Sequence, residues 1–575
     1  MIPVNSGEIT IEDYEEIDDD IDEKQLLPPI IDPEARPVQF KSNFHEAICI
    51  LILTMSTAMN TASQGAVQIA VPSLARYFAI SGGNLSWIVS SFSLMSGATI
   101  LLFSSMADAL GRRRLVLASY SLFTIWALAG SFTTHHIVFD VARGMQGCAA
   151  AACPSASVGI LGTLYRSGRR KNTVMAVFCA GAPLGAFFGQ VTGGVCTQYI
   201  NWRSMFYFLS IIYFLFTILV FFFVPEDGIN DNVKLSIKEV GIRIGGLDLF
   251  GAFLSILACV LIVFSASHAS SSSKGWATPS VLIIFAIAVV VLAAFIWWET
   301  RVSNPLMPMR IWKAPGFGLC MALMFFSFMA FTGVLTYYTS LYFENILDAS
   351  PIQTTVYFIP QTVASLIALS IVSRILHIVP GRFLLIVSQL CNMAATLLWA
   401  LRPIDISYWA MSFPAICLCV IAADFAYNVV NLHTVSAVPA NEQSAAAGIF
   451  YTISHIAGSI GISFSSSVAS GILRKEMVES TVDVAKDVLA KAYAGAFWVG
   501  VACSAVGMAC ACFVKVGIQG IHGSDILDYD DDQIRSSTSI ATSVSFFDDA
   551  DNDAEECSRL IISNSKVMCY KSLEA

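Results

Sequence analysis

The chain has 575 residues, of which 56% are hydrophobic and 13% charged, and its mean hydropathy is +0.68. Soluble domains carry roughly a quarter charged residues, so a water-soluble globule is excluded and a polytopic membrane protein is indicated. The formal net charge of −10 is unevenly placed: residues 1–41 hold 12 acidic and 3 basic residues and residues 518–575 hold 12 and 4, leaving a basic core of +7 between two acidic tails.

Residues 1–44 include EDYEEIDDDIDEK and are too charged to bury a core, which predicts a disordered tail. No apolar signal-peptide core precedes the first span. A spanning helix needs about 20 mostly apolar residues. That criterion predicts fourteen: 46–70, 87–107, 115–134, 137–161, 173–197, 205–224, 247–267, 279–298, 317–341, 353–373, 382–401, 407–432, 445–470 and 493–516. The fold expected is therefore an all-α polytopic membrane protein with both tails on one side. Fifteen Lys and Arg fall in loops on that side against eight on the other, which predicts cytosolic termini by the positive-inside rule. Residues 517–575 form a second acidic, disordered tail.

Inside the spans the polar residues are few and patterned. Asn60, Gln64 and Gln68 recur every four residues and make one polar stripe on the first helix. After the second span, SSMADALGRRR (104–114) sets Asp108 beside Arg112, Arg113 and Arg114 in a compact turn at Gly111. In the fourth span Asp140 and Arg143 stand at i and i+3, close enough to pair, and ionisable groups in hydrocarbon cost about 2.5–3.5 kcal/mol each on insertion scales. Gly181, Gly185, Gly189 and Gly193 form a ridge on the fifth span that predicts tight helix packing. Asp424, Asn428 and Asn431 share one face of the twelfth span, with Asp424 roughly 12 Å from the inner end at 1.5 Å per residue. His455 lies at a similar depth in the next helix, so a carboxylate and an imidazole can share a proton across one cavity. The fifteen cysteines are scattered and read as small buried hydrophobes. With no nucleophile motif, metal cluster or phosphate loop, no enzyme, metal or cofactor is expected.

These stretches carry a resemblance to the major facilitator superfamily. The 104–114 loop is similar to its G-x-x-x-D-x-x-G-R-R/K pattern at Asp108, Gly111, Arg112 and Arg113, with Ser104 for the leading glycine and Ala109 for a basic residue. DVARGMQG (140–147) resembles R-x-x-Q-G, with Arg143 and Gln146 in place. The glycine ridge falls where antiporters of the family carry G-x-x-x-G-P-x-x-G-G, but Gln190 replaces the proline. Asn201-Trp202-Arg203 and PLMPM (305–309) extend the likeness, which covers about 45–515. In finer detail it resembles the fungal fourteen-span drug/proton antiporters, in look the aminotriazole-resistance and boron-efflux permease and its low-affinity ammonium relative. Those antiporters carry a first-helix aspartate where this chain has Ser63.

The resemblance implies two six-helix halves (45–224 and 317–516), separated by a loop, an inserted helix pair and a linker (225–316), with a substrate site between them near mid-bilayer. It implies proton coupling through Arg143 and Asp140, with Asp424 and His455 as substitutes for the absent aspartate. Asn60, Gln64, Gln68, Gln146, Asn428 and Asn431 are expected at the substrate, and Asp108, Gly111, Arg112 and Arg113 as a conformational latch. The function expected is secondary active transport of a small solute or xenobiotic, as proton-coupled efflux. An uncoupled facilitator of ammonium or borate and a transporter-like nutrient receptor are the alternatives. Partners expected are solute, protons, lipid and sorting adaptors, but no nucleic acid. The chain is expected to be monomeric, in the plasma membrane or a vacuolar or endosomal membrane. Asp22 with Leu26–Leu27 and Glu556 with Leu560–Ile561 resemble acidic dileucine sorting signals.

Overall fold

A computed structural model describes residues 36–518 except 38, 82, 166–168, 226–246, 273, 304, 439–441 and 480–485; the side chains of 108, 109, 169, 172, 444 and 477–479 are likewise not described. Both dileucine patterns, at Leu26–Leu27 and Leu560–Ile561, and the Asp108 carboxylate lie outside the described residues.

Hydrocarbon offers the backbone no water, so an apolar chain satisfies its amides within helices. Among the described residues fourteen helices are long and apolar enough to cross a membrane, and the chain is a multi-pass integral membrane protein. They are α1 (Asn43–Phe78), α2 (Gly83–Leu110), α3 (Arg112–Ser131), α4 (His136–Leu164), α5 (Arg169–Tyr199), α6 (Trp202–Phe223), α7 (Leu249–Ser271) and α8 (Pro279–Glu299). The remaining six are α9 (Phe317–Asn345), α10 (Pro351–Ile375), α11 (Gly381–Ala400), α12 (Tyr408–Ser436), α13 (Gln443–Glu479) and α14 (Lys486–Phe513). Several outrun the apolar stretch that predicts them, because local caps and polar helix formers continue the turn. The Ser42 side chain caps His45 N–H to start α1, and α9 runs four residues past its expected end. Within α9 the turn Phe331–Thr336 is π-helical. We call the side where α1 begins and α14 ends the near face, and the other the far face.

Helices α1–α6 and α9–α14 each pack chiefly among themselves, and the two groups meet along α2 with α13 and α5 with α10. Helix α7 packs on α8 and docks against α2 and α13. The tightest seam joins α1 to α5. There the glycine ridge faces Thr54, Ala58, Ala62 and Ala66: a Cβ on Gly185 would stand 2.5 Å from Ala58 Cα, and on Gly189 or Gly193 it would overlap the carbonyl oxygens of Ala62 and Ala66. Thr61 uses the same closeness to donate to the Ala182 carbonyl at 2.8 Å.

At the near face the two groups repeat one device. Gly111, at φ 98°, turns the chain into α3, whose Arg113 donates to the Phe221 carbonyl at the end of α6 (2.7 Å). In the second group Arg382 at the start of α11 donates to the Cys512 carbonyl at the end of α14 (2.5 Å). The chain leaving α14 then straps the same corner, Gly381 and Arg382 N–H donating to Gly517 and Val516 carbonyls at 2.9 and 3.1 Å. In the first group Glu46 accepts from Tyr165 (2.7 Å) and pairs with Arg170 (2.5 Å). Burial and the Glu46 contact push the Tyr165 hydroxyl well above its ordinary pKa.

Overpacking costs about 1–3 kcal/mol in a well-packed core. Gly189→Val is expected to lower the thermal midpoint and folded yield sharply, whereas Gly162→Ala, with nothing within 4 Å of the added Cβ, leaves both unchanged. Fluorescence-detected size exclusion after heating checks the pair.

Candidate functional site

Between the two groups lies a cavity of about 300 Å³. From the first group α1 contributes Thr57, Asn60, Thr61, Gln64 and Gln68, joined by Ser93 of α2 and Phe178 and Gln190 of α5. The second group contributes Phe331, Thr332 and Thr336 from the π-turn, Gln361 and Ser365 from α10, Asp424, Tyr427 and Asn428 from α12, and Tyr451, Ser454 and His455 from α13.

The α1 stripe is held in line by its own spacing. Gln64 donates to Asn60 Oδ1 at 2.8 Å, Ser93 donates to Gln64 Oε1 at 3.2 Å, and Asn60 donates to Ser96 at 3.4 Å. Opposite, Asp424 accepts from Ser365 at 2.6 Å, while Asn428 turns its amide back to the Asp424 carbonyl at 2.8 Å. Asp424 is the one acidic residue lining the cavity among those described, and no lysine or arginine joins it. His455 lies in the same wall, on a stretch of α13 so near α2 that a Cβ on Gly97 would stand 2.9 Å from the His455 Cβ. Asp424, His455, Asn428, Asn60 and Gln64 are thus brought together as the spacing predicts.

The far end of the cavity is shut by bonds between the groups. Gln68 donates to the Thr336 carbonyl (2.8 Å) and accepts on its own carbonyl from Ser340 (3.0 Å). Thr355 donates to the Gln190 carbonyl (3.0 Å), and Ile352 N–H to Gln198 (3.0 Å). Gln68, expected as a solute ligand, has its side-chain amide engaged in this closure.

Two further expectations are corrected. Asp140 and Arg143 form no ion pair. Their i, i+3 spacing sets them on one side of α4, but Arg143 turns into the group interior, where Nη1 donates to Ser63 (2.6 Å) and Gln146 (2.5 Å) and the guanidinium lies 4.5 Å from the Phe92 ring centre. Asp140 Oδ1 is left buried without a hydrogen bond. Gln146, spent on Arg143 and 1% exposed, is not in the cavity wall, nor is Asn431, a turn nearer the near face than Asn428. Among the residues expected at the latch, Gly111 supplies the turn, Arg112 donates to the Gly159 carbonyl (2.9 Å) and Arg113 to the Phe221 carbonyl.

Ser365, Gln361, Tyr427, Tyr451 and the π-turn threonines were not singled out by sequence. For α10 a signal existed, since Gln361 and Ser365 are an i, i+4 polar pair on a largely apolar helix. Among the described residues no cluster of His, Cys, Asp and Glu fits a metal ion.

A family model described as Major Facilitator Superfamily matches residues 53–462. The chain belongs to the Major Facilitator Superfamily. Members of that family are transporters rather than enzymes. Similar proteins include the low affinity ammonium transporter of Saccharomyces cerevisiae, 25% identical over 68% of this chain and 75% of that one. The efflux pump terJ of Aspergillus terreus is 26% identical over 80% and 86%, and the multidrug resistance protein Stp of Mycobacterium tuberculosis 27% identical over 71% and 73%. The superfamily's fold is also that of the human organic anion transporter MFSD10, which aligns with 81% of this chain and 99% of its own at a TM-score of 0.52 and 15% identity.

A hydrogen bond to a charged group contributes about 1.5–3 kcal/mol. Ser63→Ala, which removes one of the two acceptors on Arg143 Nη1, is expected to destabilise the protein by that order, and Ser63→Asp to stabilise it by supplying a countercharge. Thermal midpoints in nanodiscs check both signs.

Proposed function

We propose that this superfamily transporter expels a small solute in exchange for protons, rocking its two six-helix groups about the central cavity with the near face in the cytosol. The observation that carries the reading is Asp424, a lone cavity carboxylate whose side chain is met by a single serine, with His455 in the same chamber. A carboxylate held between water-filled and solute-filled states can exchange a proton for a solute, as intramembrane acids do in coupled carriers. Asn60, Gln64 and Asn428 offer the solute amide donors and acceptors, and Phe178, Phe331, Tyr427 and Tyr451 offer it apolar and aromatic surface. A cavity of this size suits one small organic molecule. Relatives named for multidrug resistance, efflux and ammonium transport support a small solute or xenobiotic as cargo.

The second reading, an uncoupled facilitator, is favoured by Ser63, which stands where related antiporters carry a proton-binding aspartate. Proteoliposomes given ethidium, puromycin, methylammonium or borate, with and without a pH gradient, distinguish the two. Coupled exchange is expected to concentrate a solute against its gradient only when the pH gradient is imposed. Asp424→Asn is expected to abolish that uphill movement while leaving downhill exchange of the same solute. Full accumulation by the variant would remove Asp424 from the coupling.

A further inference from the structure

Helices α1 and α9 run in the same direction from near face to far face, and their facing residues are in register. On α1, Gln68, Pro72 and Arg76 succeed each other at four-residue steps; on α9, Thr336, Ser340 and Glu344 do the same. The inner rung of this ladder is the closure already described, Gln68 with Thr336 and Ser340. Two helical turns further out the rung is Arg76 and Glu344, the opposite charge acting on Glu344 being that of Arg76 across the seam.

This outer rung is incomplete. Glu344 Oε1 is shielded from solvent and has no hydrogen-bond partner, while Arg76 bonds to Ser73 on its own helix at 3.1 Å. Two other described cations of the second group at the far face are already engaged. Lys486 at the start of α14 pairs with Asp348, and Arg402 at the end of α11 is held by Ser412 and Tyr342 (2.9 and 2.7 Å) and the Ile406 carbonyl (3.0 Å). Tyr493 of α14 bonds to Asn345, not to Glu344. An ionised carboxylate with an enclosed, unbonded oxygen pays a desolvation penalty of several kcal/mol that the protonated acid avoids. Parting the groups at the far face would return that oxygen to water.

We propose that Glu344 is the proton-binding residue of a far-face gate: its carboxyl takes up a proton as α1 and α9 close on each other and gives it back to the same side as they part. The proton therefore biases the gate and is not itself carried across. Low pH at the far face holds the gate shut, and high pH favours its opening. A closure that binds one proton changes the gate equilibrium by up to about tenfold per pH unit. The inference rests on the alternating motion of the two groups but not on proton exchange at Asp424.

Hydrogen–deuterium exchange on the full chain in nanodiscs, without solute, tests it, with labelling times scaled for the intrinsic pH dependence of exchange. In the wild type the far ends of α1 and α9 are expected to exchange several-fold faster at alkaline than at acidic pH. Glu344→Gln, which mimics the protonated acid, is expected to be protected at both, with unchanged protection in α3 and α6. Gln68→Ala, which removes the side-chain bond to Thr336 and leaves that of Ser340 to the backbone carbonyl, is expected to exchange faster at both while keeping the pH difference. Should Glu344→Gln fail to fold, Glu344→Asp is expected to move the midpoint of the pH profile. A wild type without a pH difference, a glutamine variant that retains it, or an aspartate variant with an unmoved midpoint would each overturn the gate. Coupled transport lost only in Asp424→Asn, with the gate profile intact, would separate this site from the central one.

Discussion

Every polar group inside the bilayer must find its partner within the protein, because hydrocarbon supplies none. That constraint turns the apolar runs into helices, and it decides which helices can slide. Where α1 meets α5, glycine against alanine brings two backbones together and threonine hydroxyls reach across to carbonyls. Such a seam lies wholly within the first group. Where the groups meet at the far face, the partners are side-chain amides and hydroxyls on backbone carbonyls. Those donors can be handed to water when the groups separate, so closure and opening differ little in hydrogen-bond count.

The interior of each group uses the same rule at higher stakes. Arg143 lies among apolar and amide neighbours, satisfied in part by Ser63 and Gln146 and faced by the Phe92 ring. Its hydrogen bond to Ser63 ties α4 to α1 behind the cavity wall. The second group carries Asp424 in the wall itself. Of the two cavity walls, only that of the second group presents an acidic residue among those described.

Much of this was legible in the sequence because the signals are local. Fourteen apolar runs read as fourteen helices, and the four-residue steps of the glycine ridge and of Asn60 and Gln64 read as faces, since helical periodicity is a property of the chain alone. Depth counting along α12 and α13 placed Asp424 and His455 in one chamber for the same reason. What failed was orientation. Spacing sets Asp140 a turn from Arg143, but the direction of a long side chain depends on what another helix offers, and Ser63 and Gln146 offered more. Gln68 belonged to the stripe by period, yet its place opposite α9 made it a closure residue. Glu344 escaped notice because the apolar run ends near 341, which made it look like the edge of a loop. The helix continues to Asn345, and those last four residues carry the carboxyl into the seam.

The strap after α14 has a mechanical meaning. Gly517 and Val516 are hydrogen-bonded to the first turn of α11, and Val514 and Val516 are buried beside it. Residues 514–517 are therefore an anchored corner of the second six-helix group rather than a free helix end. That corner is tied by hydrogen bonds to α11, and α11 packs against α12, the helix that carries Asp424.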